Sequence, residues 1–424
     1  MLKRNITDSL LHELRCFPVV FLNGARQTGK STLVQWLAQK DYPARYVTLD
    51  DITMLAAARQ DPAGFIAGLE SPVIIDEIQR APELFIVIKA AVDRDPSPGR
   101  FLLTGSADVL LLPHLSESLT GRMSICTLWP FSQGEILSLK ESFVDMVFAE
   151  GLPSRAIDWL SREAVVKQAL TGGYPPIYSR SGIRQINSWF SAYVSTLLQR
   201  DVRDIANLEH LTMLPRLLTL LAARSMALVN YSELSRSMAM PQSTLKRYMA
   251  LLETTFLVHL LLPWSANLGK RLVKAPKLVI NDTGLMAHLL GLTEEMAMEH
   301  STLLGPLMEN FVVLELRKQI SWSKTMCRLY HFRAQTGQEV DILLEDQRGN
   351  VVGIEVKSAA TLRSEDFNGL RFLASALQKR FRRGLVLYGG RDRVPFGENL
   401  TALPISALWR MASASRKCNS GRLE

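Results

Sequence analysis

The chain has 424 residues, of which 47% are hydrophobic, and 49 Lys and Arg stand against 41 Asp and Glu for a formal net charge of +8. This composition excludes a disordered tail protein, a fibrous repeat and a disulfide-stapled miniprotein. At roughly 100 to 200 residues per domain, the length predicts several domains with cores of their own, and the mild basic surplus permits a polyanionic partner without requiring one.

Cys16, Cys126, Cys327 and Cys418 lie far apart with no C-x-x-C pair. That spacing argues against a zinc knuckle or a disulfide framework and suits a reducing cytoplasm. Asp8, His12, Glu13 and Arg15 interrupt any apolar run that a secretory signal would need. The longest apolar stretch, Phe256 to Leu262, is broken by His259 and stopped by Pro263, well short of the ~20 residues that cross a bilayer. A cytoplasmic protein without a membrane segment is the expectation.

In chain order, Ile6, Leu10, Leu11 and Leu14 recur at helical spacing, and Phe17 to Leu22 is an apolar run suited to a buried strand. Further continuous strands are predicted at Ala44 to Leu49, Val73 to Ile75 and Arg100 to Leu103, with helical patterns between them. This alternation predicts an α/β fold with a parallel central sheet. After Pro130 the pattern turns helical over Phe131 to Leu139, Ile157 to Leu170 and Gln185 to Asn207, with a predicted hinge at Gly172-Gly173-Tyr174-Pro175-Pro176.

Helices at Ser232 to Met238 and Ser243 to Glu253, joined by a Met240-Pro241 turn and followed by the apolar runs Phe256 to Leu262 and Lys277 to Ile280, outline a winged helix. A second α/β unit follows, with strands at Cys327 to Arg333, Glu339 to Glu345, Val351 to Lys357 and Gly384 to Tyr388. The expected organisation is a P-loop core over 1–130, a helical lid region over 131–207, a winged helix over 208–300, an α/β domain over 301–411 and a polar tail over 412–424.

Gly24, Ala25, Arg26, Gln27, Thr28, Gly29, Lys30 and Ser31 fit G-x-x-x-x-G-K-[ST] between a strand and a helix, with Thr32 next. Such a loop wraps phosphate with backbone N–H groups and a helix N-terminus. Lys30 would reach the β and γ phosphates of ATP and Ser31 would hold Mg²⁺. Val73-Ile74-Ile75-Asp76-Glu77 then supplies a metal-linked carboxylate, Asp76, and a water-activating base, Glu77. A third strand ends in Thr104-Gly105-Ser106, where Thr104 or Ser106 would orient the water. Arg122 is a candidate γ-phosphate contact, in cis or in trans; the trans case implies a homo-oligomer.

Gly24 to Thr32, Ile75 to Gln79, Leu103 to Ser106, Leu119 to Arg122, Gly172 to Pro175 and Arg200-Asp201-Val202 resemble phrases of the AAA-type ATPases of bacteria and archaea whose C-terminal part is a domain of unknown function. The resemblance covers nearly the whole chain. It implies a P-loop core, a winged helix and a C-terminal domain similar to restriction-endonuclease folds.

Near the C-terminus, Asp341 and the Glu355-x-Lys357 triplet lie on successive strand patterns separated by a Gln347 to Asn350 turn. The two-residue strand period puts Glu355 and Lys357 on one face, and pairing brings Asp341 beside Glu355. This is the pattern of the D…E-x-K nucleases, in which Asp341 and Glu355 would bind Mg²⁺ and Lys357 would position the attacking water, with Glu309 as an extra acid and Glu339, on the same face as Asp341, as an alternative ligand. Cleavage and a purely binding role both fit.

Gln242, Ser243, Thr244, Lys246 and Arg247 open the second helix of the winged-helix pattern, and Lys270, Arg271, Lys274 and Lys277 belong to its wing. Together they form either a DNA surface or the solvated side of a packing module. Lys379-Arg380-Phe381-Arg382-Arg383 is the densest basic run, readable as a phosphate track or a solvated helix end.

Overall fold

The computed structural model describes residues 2–106, 119–152, 157–205, 213–266 and 274–411, with the backbone alone for 199–205. Lys270, Arg271, the side chains of Arg200 to Val202 and the tail 412–424 lie outside the described residues.

Helix α1 (Thr7–Cys16) leads into β1 (Val19–Asn23), followed by α2 (Lys30–Gln39), β2 (Arg45–Thr48), α3 (Ile52–Gln60), α4 (Pro62–Ala67), β3 (Val73–Asp76), α5 (Leu84–Arg94), β4 (Phe101–Gly105) and β5 (Met123–Thr127). The strands pair in parallel in the order β2-β3-β4-β1-β5. Every residue of β1, β3 and β4 is buried, as strands covered on both faces require. Leu10, Leu33, Val34 and Leu37 cover one face, and Ala58, Ile66, Phe85 and Ile88 cover the other. Strand β5 lies outside the sequence expectation because Met123 to Thr127 is only half-buried and forms no continuous apolar run.

The predicted helix over Phe131 to Leu139 is only the short α6 (Gln133–Ile136), opened by a Ser132/Glu135 capping box. Ser138, at φ 57°, then turns the chain out of helical geometry. Helices α7 (Phe143–Phe148), α8 (Arg162–Thr171) and α9 (Ile183–Ile205) follow. Next come α10 (Leu214–Ala223), α11 (Tyr231–Met238) and α12 (Gln242–Thr254), then an antiparallel hairpin of β6 (Val258–Leu261) and β7 (Lys277–Ile280), with Leu228 bridging Lys277 from outside.

Helices α13 (Thr283–Leu290), α14 (Glu294–Glu299) and α15 (Ser301–Ile320) lead into β8 (Cys327–Arg333), β9 (Glu339–Asp346) and β10 (Val351–Lys357), then α16 (Asn368–Leu377), β11 (Phe381–Tyr388), β12 (Val394–Pro395), β13 (Leu400–Pro404) and α17 (Ala407–Arg410). The sheet order is β12-β13-β11-β10-β9-β8, antiparallel across β8, β9 and β10 and parallel across β10, β11 and β13.

One apolar core runs from the helical region into the last unit, whose sheet carries a second core on its other face around Phe332, Phe367 and Phe381. The first joins Phe143, Val166 and Phe190 of the helical region to Leu217 of α10 and Leu245 of α12, and to Phe311, Leu385 and Trp409 of the last unit. This core continues across the borders expected at 207/208 and 300/301.

The Gly172-Gly173 pair sits inside this assembly and is not the expected hinge. A Cβ on Gly172 would lie 2.2 Å from Asp282 Oδ1, and one on Gly173 would lie 2.4 Å from the Phe131 carbonyl oxygen. Gly173 N donates to Asp282 Oδ2 at 2.7 Å, and Phe131 N donates to the Gly173 carbonyl at 2.7 Å. The glycines are there because two backbone segments and a carboxylate approach too closely for any side chain.

Candidate nucleotide site

The loop between β1 and α2 takes its shape from Gly24 at φ 146°, Gln27 at φ 64° and Gly29 at φ 91°, positive-φ conformations that turn the backbone sharply between strand and helix. At Gly24 a Cβ would also strike the Leu128 carbonyl oxygen at 2.3 Å. Lys30 is buried, and its ammonium donates to the carbonyls of Gly24 at 2.9 Å and Ala25 at 3.0 Å. Ser31 and Thr32 follow in the first turn of α2, the positive end of the helix dipole.

Strand β4 lies between the strand that feeds the loop and the strand that ends in Asp76, so Thr104 projects next to Asp76. Thr104 Oγ1 donates to Asp76 Oδ1, and Tyr46 OH donates to Asp76 Oδ2 at 2.7 Å. Burial, then the Asp76 hydrogen bond and charge, push the Tyr46 hydroxyl up to about 12, so it stays a donor. Glu77 adopts φ 60° and its N–H donates to Thr104 Oγ1 at 3.1 Å. Gln79 Nε2 donates both to Glu77 Oε2 and to Ser106 Oγ. The loop, the acidic pair and the Thr104/Ser106 strand end thus lie together at the carboxyl ends of the parallel strands β1, β3 and β4.

Tyr46 and Arg4 are missing from the sequence reading. Tyr46 belongs to an ordinary half-buried strand, and only the strand order reveals that its hydroxyl reaches Asp76. Arg4 is 5% exposed and donates to the carbonyls of Thr28 at 2.8 Å and Trp129 at 2.6 Å, and to Glu135 Oε1 at 3.1 Å. No motif signals it.

Arg122 does not reach the phosphate loop of its own chain. It immediately precedes β5, whose register sets Met123 beside Val19 and Thr127 beside Asn23. Arg122 therefore lies at the opposite end of the sheet, ~20 Å from the start of the loop at ~3.3 Å per residue. It pairs instead with Asp93. The cis role is excluded by strand direction.

The C-terminal residues converge differently. Ile342 pairs with Ile354, which sets Asp341 beside Glu355, and Val356 N donates to Asp341 Oδ2 at 3.0 Å. Lys357 Nζ lies 3.9 Å from Glu355 Oε2 and 4.0 Å from Asp366 Oδ1. Burial, then the Asp341 charge and a hydrogen bond that the protonated Glu355 carboxyl donates to the same residue, push Glu355 up to about 10, while burial and the Asp341 charge push Glu309 up to about 7. Glu339 turns outward to Arg333 at 3.7 Å. Among the described residues no group of three or more His, Cys, Asp or Glu side chains is arranged to hold a metal ion.

Lys277 corrects the expected basic wing. It is buried, with its ammonium 3.7 Å from both Glu309 Oε2 and Asp341 Oδ1, and Lys274 Nζ donates to the Arg333 carbonyl. The run from Lys379 to Arg383 divides: Lys379 and Arg380 are exposed at the end of α16, while Arg382 and Arg383 are drawn inward. Arg380 binds the Gly349 carbonyl and Glu345, and Arg382 and Arg383 bind the carbonyls of Phe148 and Ala149, docking the last sheet on α7. Gln242, Ser243, Lys246 and Arg247 on α12 are exposed, and Thr244 is half-buried.

Residues 17–137 match the family model of an AAA domain, 162–296 that of a domain of unknown function, DUF8612, and 304–408 that of a second, DUF4143. Two proteins, uncharacterized protein Rv2008c of Mycobacterium tuberculosis and uncharacterized protein Mb2031c of Mycobacterium bovis, are each 33% identical over 404 residues, 95% of this chain and 83% of theirs. The chain belongs to their family. It is an AAA-type P-loop protein with an α/β core, and among the described residues no helix is long and apolar enough to cross a membrane. A point variant of Thermotoga maritima RuvB aligns with 60% of this chain and 88% of its own at 18% identity, but with a TM-score of 0.26, too low to bear on the fold.

Proposed function

We propose that the chain is a Mg²⁺-dependent ATP hydrolase that works on or with DNA. The supporting observation is the convergence of Lys30, Ser31, Asp76, Glu77 and Thr104 at one sheet edge, with both Asp76 oxygens oriented by hydroxyl donors. The hard oxygen donors of Ser31 and Asp76 suit Mg²⁺, which when bound neutralises phosphate charge.

In this reading the loop N–H groups from Gly24 to Ser31 cradle the phosphates and the Lys30 ammonium moves from the Gly24 and Ala25 carbonyls to the β and γ phosphate oxygens. Glu77 accepts the proton of the attacking water, and Thr104 and Ser106 fix its direction through the Glu77 N–H and Gln79. Lys30→Ala abolishes ATP turnover; turnover that persisted in the purified variant would refute the site.

The DNA part rests on the exposed start of α12, where Gln242, Ser243, Lys246 and Arg247 face solvent. A second reading, a nucleotide-gated regulatory or scaffold protein whose last unit cuts nothing, is favoured by one observation, the Lys277 ammonium lodged against Glu309 and Asp341. Incubating wild type and Asp341→Ala with plasmid and single-stranded DNA, Mn²⁺ and ATP separates them. Asp341-dependent cleavage supports a nuclease.

A further inference from the structure

The carboxylates of the last unit are contacted by a cation that the unit does not own. Lys277 begins β7 of the helix-turn-helix hairpin, and Glu309 and Asp341 stand on α15 and β9. The Lys277 side chain is 8% exposed, and its ammonium is equidistant, at 3.7 Å, from one oxygen of each acid. A charge is buried at this cost only where opposite charges receive it.

The strand that carries Lys277 is fixed along its length. Val229 N donates to the Pro276 carbonyl at 2.8 Å, and Leu278 N donates to the Ala227 carbonyl at 3.0 Å. Asn310, one residue beyond Glu309 on α15, accepts from Ile280 N at 2.9 Å and donates to the Ile280 carbonyl at 2.8 Å. The other hairpin strand runs on into the edge of the last sheet, where His331 N donates to the Leu262 carbonyl at 3.0 Å and Trp264 N to the His331 carbonyl at 2.7 Å. The hairpin is therefore docked on the last unit by backbone as well as by Lys277.

We propose that Lys277 is an internal latch: its ammonium fills the cation position between Glu309 and Asp341 and closes the acidic cluster to divalent ions until the hairpin moves. Asp341 has little left to offer in this state, since Oδ1 faces Lys277 and Oδ2 accepts from Val356 N. A bound divalent ion would meet the lysine charge at contact distance, where like charges repel most strongly. The latch rests on reading the cluster as a cation site, and it is independent of the nucleotide reading.

The test is Mn²⁺ binding to the full chain without nucleotide, followed by electron paramagnetic resonance, in wild type, Lys277→Met and Lys277→Met/Asp341→Asn, with circular dichroism melts to score folding. Lys277→Met gains an Mn²⁺ site about tenfold or more tighter than anything in wild type, and the double variant loses it. Asp341-dependent Mn²⁺ binding already present in wild type overturns the latch while leaving the cluster a cation site, and this arm needs no variant with a disturbed hairpin. Folded Lys277→Met that binds no Mn²⁺ overturns the latch together with the cation-site reading.

Discussion

The Tyr46 hydroxyl donates a 2.7 Å hydrogen bond to Asp76 Oδ2 while Thr104 holds Oδ1, so the carboxylate at the end of β3 is oriented from both neighbouring strands. Groups that orient a metal-binding carboxylate matter for affinity as well as rate. Tyr46→Phe is expected to raise the Mg²⁺ concentration for half-maximal turnover about tenfold, with nucleotide affinity in the absence of metal unchanged. Titration of Mg²⁺ at saturating ATP checks it.

Glu77 sits at φ 60° with its N–H on Thr104 and its carboxylate on Gln79, and the proposed hydrolase uses it as the base. Glu77→Gln should retain ATP binding and lower kcat by about 10² to 10⁴. Fluorescent-nucleotide binding alongside steady-state turnover separates the two effects.

Glu141 is 3% exposed and accepts from Asn5 Nδ2, Gly134 N and the Ser132 hydroxyl, yet burial, followed by the Glu315 charge, pushes it up to about 8. A carboxyl raised above its unfolded value of 4.5 binds a proton more tightly when folded. Its contribution is fully present below about pH 4.5 and is lost as pH rises to about 8. Glu141→Gln should therefore flatten part of the fall in Tm across this window. Parallel melts of wild type and variant give the difference.

Gly173→Ala tests the packed joint. Its Cβ would meet the Phe131 carbonyl oxygen at 2.4 Å and Pro130 Cβ at 3.1 Å. Destabilisation of about 1 to 3 kcal/mol is expected, measurable by urea unfolding; a free hinge would tolerate the methyl group.

Lys246 and Arg247 are exposed on α12, Lys246 stacking 5.7 Å from the Tyr231 ring. Changing both to Ala should weaken DNA binding and reduce the slope of log affinity against log salt by roughly 1 per residue. Fluorescence anisotropy at several salt concentrations reads both.

The nucleotide loop was legible in the sequence because its chemistry is local: eight consecutive residues supply the glycines, lysine and serine, and the strand and helix on either side follow from their own apolar patterns. Asp76-Glu77 was legible for the same reason. The Asp341 and Glu355 pairing was legible too, since a short turn and a period of two fix which residues meet.

Contacts between distant segments were not. Arg122 looked like a phosphate contact until the direction of β5 put it at the far end of the sheet, and Gly172-Gly173 looked like a hinge until Asp282 and Phe131 closed on it. Lys277 looked like one lysine of a wing, and nothing in its neighbourhood along the chain announces Glu309 or Asp341.

The sequence by itself therefore determined the phosphate loop, its acidic partner pair and the alternation that makes a parallel sheet, all of which depend on residues near one another in the chain. Only the tertiary structure decided which charges are buried against each other. A lysine's partner is set by which segments the apolar core pulls together, and that core here joins residues as far apart as Ala25 and Met411.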